Sequence, residues 1–279
     1  MSPSCRAGRR TGVAGDEVPQ RASARGKARV LIIAPHGSYR TVSYIEAARR
    51  LGIEVLIASE GRHSLVSAYA QGLHLDFSDS RGALEIILEA ARHHCFAAII
   101  STDDSTTELA SLAASRLGLP HNEPDAARIA RRKDLARARL SAAGIPVPAH
   151  ARIDLRQPLA GQFDGIEFPC VIKPLAMSAS RGVIRVDSED ALRAACERVA
   201  RIIAEVRDTE ERHYLLVEEF VPGVEVAVEA LLTDGELEVL AIFDKPDPLN
   251  GPYFEETYFV TPSRLDAGVQ RQVGKRVAE

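Results

Sequence analysis

The stretch FPCVIKPLAMSASRGV, from Phe168 to Val183, is the most informative segment of the chain. Its apolar run at residues 170–172 predicts a buried strand, which ends at Lys173 and is followed by a loop of small residues. A lysine at the end of a rigid strand is a fixed positive charge, and a loop with few side chains exposes N–H groups to an anion. These features indicate a polyphosphate site, although an ordinary hairpin with an exposed lysine gives the same pattern.

The composition is typical of a globular protein. The chain has 279 residues, of which 46% are hydrophobic and 27% are charged, so we expect about two domains. The net charge of −4 gives no general attraction to nucleic acid, and no apolar run approaches the ~20 residues of a membrane helix. The four cysteines are scattered without metal-ligand spacing, which favours a reduced, cytoplasmic setting.

The first 28 residues form a basic tail. They contain no aromatic residue and no hydrophobic period, so they cannot bury enough apolar surface to fold. We therefore expect a disordered segment, or a start codon assigned too early.

Residues 29–120 predict an α/β domain. Apolar runs at 30–34, 53–58 and 96–100 predict strands, the first of which is a continuous apolar run typical of a strand covered on both faces, and a helical pattern follows each of them. Strands that alternate with helices imply a parallel, Rossmann-like sheet.

The turn after the first strand lacks the Gly-x-Gly-x-x-Gly motif, which disfavours a nicotinamide cofactor. His36 lies in this turn, at the carboxyl end of its strand, where open α/β sheets bind ligands. It is a candidate substrate contact, and a solvated histidine is the alternative. Asp103 and Asp104 occupy a similar strand end, where helix capping explains one of them without any chemistry.

Residues 121–148 predict a helical connector with two short helices. Lys133, near the start of the second helix, is either a surface lysine or a second phosphate contact that reaches the loop at Ser178.

From residue 149 to 279 the pattern changes to short strands and a long helix. Because Asp234-Gly235 is a strong hairpin signal, we expect an antiparallel sheet in this second, α+β module.

The run EEFV, residues 218–221, ends an apolar strand with carboxylates and continues as a short hinge. A carboxylate or carbonyl there can accept a hydrogen bond from the adenine amine, and a backbone N–H can donate to a ring nitrogen. Glu225, just beyond, can bind the ribose hydroxyls. Each carboxylate taken singly is equally explained as a solvated group at a sheet edge.

The order of these motifs resembles that of ATP-grasp enzymes, which share the ATP-binding fold of carbamoyl-phosphate synthase and biotin carboxylase. The motifs are Lys133 in RRKDLARARLSAAGIPVP, Lys173-Pro174 before SASRGV, and EEFVPGVE at 218–225. The segment DKPDPLNGPYFEETYFVTPS, residues 244–263, is similar to the group with L-amino-acid (dipeptide) ligases and carnosine-synthase-like proteins. The resemblance implies a Rossmann-like pre-ATP-grasp domain followed by an α+β ATP-grasp domain that is incomplete at its C-terminus.

The resemblance also implies roles for individual residues. The expected ATP-binding residues are Lys133, Lys173, Ser178, Ser180, Gly182, Glu218, Phe220, Val221 and Glu225. In this assignment the lysines bind phosphates and residues 178–182 form a lid. The expected substrate-side residues are His36, Lys245, Glu255 and Glu256.

The chemistry implied by the family is carboxylate activation with ATP and Mg²⁺: an acyl phosphate forms and an amine then attacks it. Such enzymes place their Mg²⁺ ligands late, as a glutamate on one strand and a Glu-x-Asn on the next. No Glu-x-Asn occurs in the 279 residues. We therefore expect the metal ligands beyond residue 279, a truncated or fragmentary ligase, and little or no ligase activity from this polypeptide alone.

Other functions remain open at this point. A biotin-carboxylase-like subunit shares this architecture, but its reaction loop is usually basic and contains histidine, unlike Gly251-Pro252-Tyr253-Phe254. A degenerate nucleotide-binding protein without turnover is the non-enzyme alternative. The expected partners are small-molecule carboxylates and amines rather than nucleic acid or membrane, and the family resemblance makes a homodimer an option.

Overall fold

The computed structural model describes residues 29–60, 72–205, 210–254 and 257–279. The predicted basic tail and two predicted substrate-side residues, Glu255 and Glu256, lie outside the described residues. The chain divides into two compact units, residues 1–131 and 132–279, so the division falls within the predicted connector. No helix in the described ranges combines the length and apolar character needed to cross a membrane.

The first unit contains a four-stranded parallel sheet in the order β3-β2-β1-β4. Its strands are β1 (Arg29–Ile33), β2 (Glu54–Glu60), β3 (Gly72–Leu75) and β4 (Phe96–Ser101). Its helices are α1 (Thr41–Leu51), α2 (Ser80–His93), a short 3-10 helix (Asp104–Thr106), α3 (Thr107–Arg116) and α4 (Pro124–Arg131). The predicted parallel α/β fold is confirmed, with β3 as an additional strand.

The local sequence explains where these elements begin and end. In β1, Leu31, Ile32 and Ile33 are all at most 1% exposed, as expected for a strand covered on both faces. Gly52 ends α1 in the left-handed conformation, with φ of 66°. The Asp103 carboxylate accepts a hydrogen bond from the Ser105 N–H and so caps the 3-10 helix, which accounts for this aspartate structurally.

The second unit begins with α5 (Lys133–Ala142) and contains a four-stranded antiparallel sheet in the order β5-β8-β6-β7. The strands are β5 (His150–Asp154), β6 (Cys170–Pro174), β7 (Ile184–Val186) and β8 (Tyr214–Glu219), and α6 (Glu189–Ile203) lies between β7 and β8 in sequence. A separate antiparallel hairpin, β9 (Val226–Thr233) and β10 (Glu236–Asp244), precedes α7 (Ala267–Ala278). The α+β prediction is confirmed, with β5 as an additional strand.

The alternation of side chains in this second sheet determines where the charged residues lie. Cys170, Ile172 and Val217 belong to the hydrophobic core that includes Leu192 and Val199 of α6. Because successive residues of a strand point to opposite faces, Lys173 and Glu218 project from the other face of the sheet. The fold therefore separates an apolar face, covered by α6, from a face that carries charge.

Candidate functional site

A buried carboxylate lies at the centre of the charged face. Glu218 on β8 is 2% exposed and forms an ion pair with Lys173, the second-last residue of β6. Its other oxygen, Oε1, accepts a hydrogen bond from Nε of Arg137 at 2.6 Å. Burial by itself raises the pKa of Glu218, but the charges of Lys173 and Arg137 outweigh burial and hold the pKa below its ordinary value. Glu218 is therefore an ionised carboxylate between two cations.

This arrangement differs from the role expected of Glu218. Both carboxylate oxygens are engaged by cations, so neither is directed at an adenine amine. The contact between Glu218 and adenine stays a prediction. The side chain instead holds the ammonium group of Lys173 in place.

The second predicted lysine approaches the loop that follows β6. The N–H of Lys133 donates to the carbonyl oxygen of Leu175 at 2.9 Å, and its Nζ donates to the carbonyl oxygen of Met177 at 2.6 Å. Burial lowers the pKa of Lys133, and the positive charge of Lys173 lowers it further. The two lysines thus share a partly desolvated region in which an anion would relieve their mutual repulsion.

The loop itself has an unusual backbone. Ala179 and Ser180 have φ angles of 55° and 52°, in the left-handed region that non-glycine residues seldom adopt. Such strain is found preferentially at functional sites. Gly182 has φ of 74°, and a Cβ atom there would lie 3.0 Å from Cγ of Pro174. The loop is therefore packed closely at its glycine, whereas Ser178 is exposed at its tip.

The hinge after β8 contains two of the predicted ATP-binding residues, Phe220 and Val221. The Phe220 N–H already donates to the carbonyl oxygen of Pro169 at 3.2 Å, and the Arg185 guanidinium lies 4.4 Å from the centre of the Phe220 ring. The Val221 side chain is 63% exposed, and within the described part of the chain its N–H makes no backbone hydrogen bond. Val221 is thus better suited than Phe220 to donate to a base.

Two further predicted residues are brought together at the hairpin. Lys245, just after β10, forms an ion pair with Glu225, just before β9. The lysine side chain is 11% exposed and the glutamate side chain 51%, so the carboxylate remains accessible. His36 belongs to the first unit, where its side chain is exposed in the turn after β1.

Sequence reasoning missed Arg137, although a signal for it exists. Arg137 lies four residues after Lys133 on α5, and residues at this spacing share one face of a helix. The side chain was not singled out because its partner, Glu218, is 81 residues away.

Also missed was a buried ion-pair cluster at the start of α5. Arg132 donates to Asp134 at 2.9 Å and to Glu210 at 3.0 Å, and both Arg132 and Asp134 are 5% exposed. Arg152 on β5 adds a contact of 3.4 Å to Asp134. Burial raises the pKa of Asp134, but the Arg132 guanidinium outweighs it and holds that pKa below its ordinary value. The cluster flanks Lys133 on both sides in sequence.

The edge of β7 is covered by a later segment. The Arg185 N–H donates to the carbonyl oxygen of Pro252, and its guanidinium donates to that of Asn250, both at 2.8 Å. Ile184 pairs with Tyr253 in an antiparallel bridge. A groove of about 630 Å³ lies alongside, and its lining is Ala179, Ser180, Gly182, Val183, Ile184, Arg198, Ile202, Tyr253 and Phe254.

No metal site can be assigned from the described residues. Within them, no group of three or more His, Cys, Asp or Glu side chains has an arrangement that could hold a metal ion. Mg²⁺ is therefore not placed on any residue of this site.

Comparison with known proteins gives two family matches. Residues 45–121 match the ATP-grasp N-terminal domain, and residues 166–279 match the ATP-grasp domain. The two matches follow the order of the two units, and the second contains Lys173, the loop and Glu218.

Individual relatives are similar at lower levels of identity. The alanine–anticapsin ligase of Bacillus subtilis is 25% identical over 205 residues, which is 68% of this chain and 43% of the ligase. The crystal structure of an L-amino acid ligase from Bacillus licheniformis is 23% identical with a TM-score of 0.78, covering 92% of this chain and 61% of that one. The crystal structure of an ADP complex of N5-carboxyaminoimidazole ribonucleotide synthetase is 15% identical with a TM-score of 0.66, and the match covers 92% of this chain and 63% of the synthetase. The chain thus spans less than two thirds of each.

Proposed function

The chain belongs to the ATP-grasp family, and from this premise we propose that it binds ATP and serves in ATP-dependent carboxylate–amine ligation. The observation that carries the proposal is the pair Lys133 and Lys173, both held next to the loop at residues 175–182 by specific partners. A pair of partly buried ammonium groups beside a loop of small residues fits a polyphosphate chain, because each phosphate oxygen can accept charge-assisted hydrogen bonds.

The proposed reaction has two steps. A carboxylate oxygen attacks the γ-phosphorus of ATP, so that the bond to the β-γ bridging oxygen breaks and an acyl phosphate and ADP form. An amine then attacks the acyl carbon, inorganic phosphate leaves as the C–N bond forms, and the nitrogen releases a proton. The similarity to amino acid ligases supports an amino acid as the activated carboxylate.

The residues of the described site have separate tasks in this proposal. Lys133 and Lys173 bind phosphate oxygens and offset the charge that accumulates during phosphoryl transfer. Val221 offers an N–H to the adenine ring, and Glu225 offers a carboxylate to the ribose. Ser178, Ser180 and Gly182 belong to a loop that closes over the phosphates and keeps water from the acyl phosphate. His36, Lys245, Glu255 and Glu256 are proposed to face the substrates.

Mg²⁺ would supply further charge stabilisation of the phosphoryl group when bound. Because the sequence has no Glu-x-Asn pattern, we propose that residues 1–279 alone have little or no ligase activity. Purified protein with ATP, Mg²⁺ and amino acids should release phosphate at the background rate, and robust product formation would contradict this part of the proposal.

A cytoplasmic location and small-molecule partners are further predictions for this protein.

Positional isotope exchange tests the chemistry directly on the full-length gene product. ATP labelled with ¹⁸O at the β-γ bridge is incubated with Mg²⁺ and one carboxylate at a time, without a second substrate that would supply the attacking amine. If an acyl phosphate forms reversibly, the label scrambles into non-bridging positions only with the correct carboxylate. The control is the same protein with Lys173→Met, which should not scramble the label.

The outcome also separates the alternatives. ATP binding without scrambling for any carboxylate would favour a nucleotide-binding protein without turnover. Scrambling with bicarbonate alone would favour a biotin-carboxylase-like reaction.

A further inference from the structure

Arg137 is placed by α5 one helical turn after Lys133, so both side chains leave the same face of the helix. Lys133 reaches the carbonyl oxygen of Met177, whereas Arg137 reaches the carboxylate of Glu218. A single helix therefore contacts both the loop that follows β6 and the carboxylate that holds the β6 lysine.

Resting on the proposed function, we propose that Arg137 is a positioning residue of the ATP site, acting through Glu218 to fix the ammonium group of Lys173. The chain of contacts is continuous. Nε of Arg137 donates to Oε1 of Glu218 at 2.6 Å, and Oε2 of the same carboxylate pairs with Lys173. Arg137 does not itself touch the nucleotide in this proposal.

The physical reason for a third cation is twofold. A lysine side chain loses rotamer entropy when it is fixed, so a phosphate-binding lysine needs a fixed partner to be placed in advance. A carboxylate bonded to Lys173 alone would also neutralise that lysine and weaken its attraction for phosphate. Sharing Glu218 between Arg137 and Lys173 leaves positive charge at the end of β6 for the anion.

The charged surroundings of Glu218 come from several elements. Lys173 lies on β6, Arg137 and Lys133 lie on α5, and His150 on β5 is opposite Glu218 in the strand register. Glu211, before β8, adds a second carboxylate near Lys133. Because Arg137 and Lys173 both hold the pKa of Glu218 below its ordinary value, loss of Arg137 raises that pKa and protonates Glu218 at a higher pH.

The test measures the affinity of the full chain for ATP with Mg²⁺ by isothermal titration calorimetry at a series of pH values. Arg137→Met should weaken binding by about tenfold, the scale of a lost hydrogen bond to a charged group. Its affinity should also decline at a higher pH than that of the wild type. Arg139→Met, an exposed residue on the same helix, is the matched control and should bind within about twofold of the wild type.

Arg137→Lys separates positioning from folding. It keeps a positive charge next to Glu218, so it should recover part of the affinity for ATP. The pH at which its affinity falls should also return toward the wild-type value, even if Arg137→Met is poorly folded. The inference would be overturned if the affinity of Arg137→Met for ATP fell at the same pH as that of the wild type and Arg137→Lys recovered no affinity. Equal affinities of Arg137→Met and Arg139→Met would also overturn it, whereas failure of the wild type to bind ATP would instead overturn the proposed function.

Discussion

Nζ of Lys133 lies 2.6 Å from the carbonyl oxygen of Met177, so a lysine of α5 is held on the loop that follows β6. The backbone of Lys133 is tied to the same loop through the carbonyl oxygen of Leu175. The start of α5 and the loop therefore form one local structure, in which a change of the lysine has consequences for the loop.

Replacement of Lys133 should weaken ATP binding. Lys133→Met removes a partly buried positive charge beside Lys173, and we expect a loss of about tenfold in affinity for ATP. Titration calorimetry of the variant measures the effect. Lys275→Met, which changes an exposed lysine on α7, is the control and should leave the affinity unchanged. Equal affinities of the two variants would contradict a phosphate-binding role for Lys133.

The acid stability of the chain should depend on Glu218. Its folded-state pKa is depressed, so its ionisation stabilises the fold above the ordinary pKa of 4.5, and this contribution is lost as the pH falls through the folded-state value. Glu218→Gln leaves two cations without a charged partner and should lower the free energy of unfolding by about 3–5 kcal/mol at pH 7. Because the amide resembles the protonated acid, this difference should narrow as the pH falls.

Urea unfolding between pH 3 and pH 7 measures that difference. Glu219→Gln is the matched control, since the neighbouring side chain is exposed and its replacement should change the free energy of unfolding little. A difference between wild type and Glu218→Gln that stays constant down to pH 3 would show that the charge of Glu218 is not the source of the stability.

Gly182 should not tolerate a side chain. A Cβ atom would lie 3.0 Å from Cγ of Pro174 and 3.3 Å from Cγ1 of Val199, and the residue has φ of 74°. Gly118 has a similar φ of 65° but open space around it, so Gly118→Ala reports the backbone strain alone, about 1–2 kcal/mol. We expect Gly182→Ala to cost a further ~1–3 kcal/mol from overpacking.

The same pair of variants tests the loop as part of the ATP site. Affinity for ATP should fall in Gly182→Ala and remain at the wild-type value in Gly118→Ala, because only the first displaces residues 178–182. Unfolding by urea and binding calorimetry measure both effects. If the two variants prove equally stable and bind ATP equally well, the close packing at Gly182 contributes neither to stability nor to ATP binding.

The buried ion pair at the start of α5 should be a major source of stability. Asp134→Asn removes the charge of the buried carboxylate that lies 2.9 Å from the buried Arg132 guanidinium. We expect a loss of about 3–5 kcal/mol in the free energy of unfolding. Asp125→Asn removes an exposed partner of Arg128 on α4 and should change stability by no more than about 0.5 kcal/mol. Chemical denaturation of both variants compares them, and similar losses would refute the importance of burial here.

The sequence allowed most of the two-unit fold to be predicted, because most elements carry local signals. Buried apolar runs identify β1, β6 and β8, and the Asp234-Gly235 turn identifies the hairpin of β9 and β10. Strand β5 was missed because HARID is mostly polar and only Ile153 is fully buried. Its pairing with β8 supplies the strand character that the local sequence lacks.

The site was predicted less completely than the fold. Lys133 and Lys173 could be chosen because family motifs mark them, and the structure brings both to the same loop. The partners of Glu218 could not be derived, since strand pairing and the packing of α5 decide which cations reach a given carboxylate. The roles of individual site residues stay predictions until binding is measured.

The segment that covers β7 has a consequence for self-association. A sheet edge with free N–H and C=O groups is a template on which another molecule can add a strand. At β7 the main chain of Arg185 is already bonded to Pro252, and Ile184 is already bridged to Tyr253. Intermolecular sheet extension at this edge must therefore first displace residues 250–253, so this segment shields the edge of β7 next to the loop at residues 178–182.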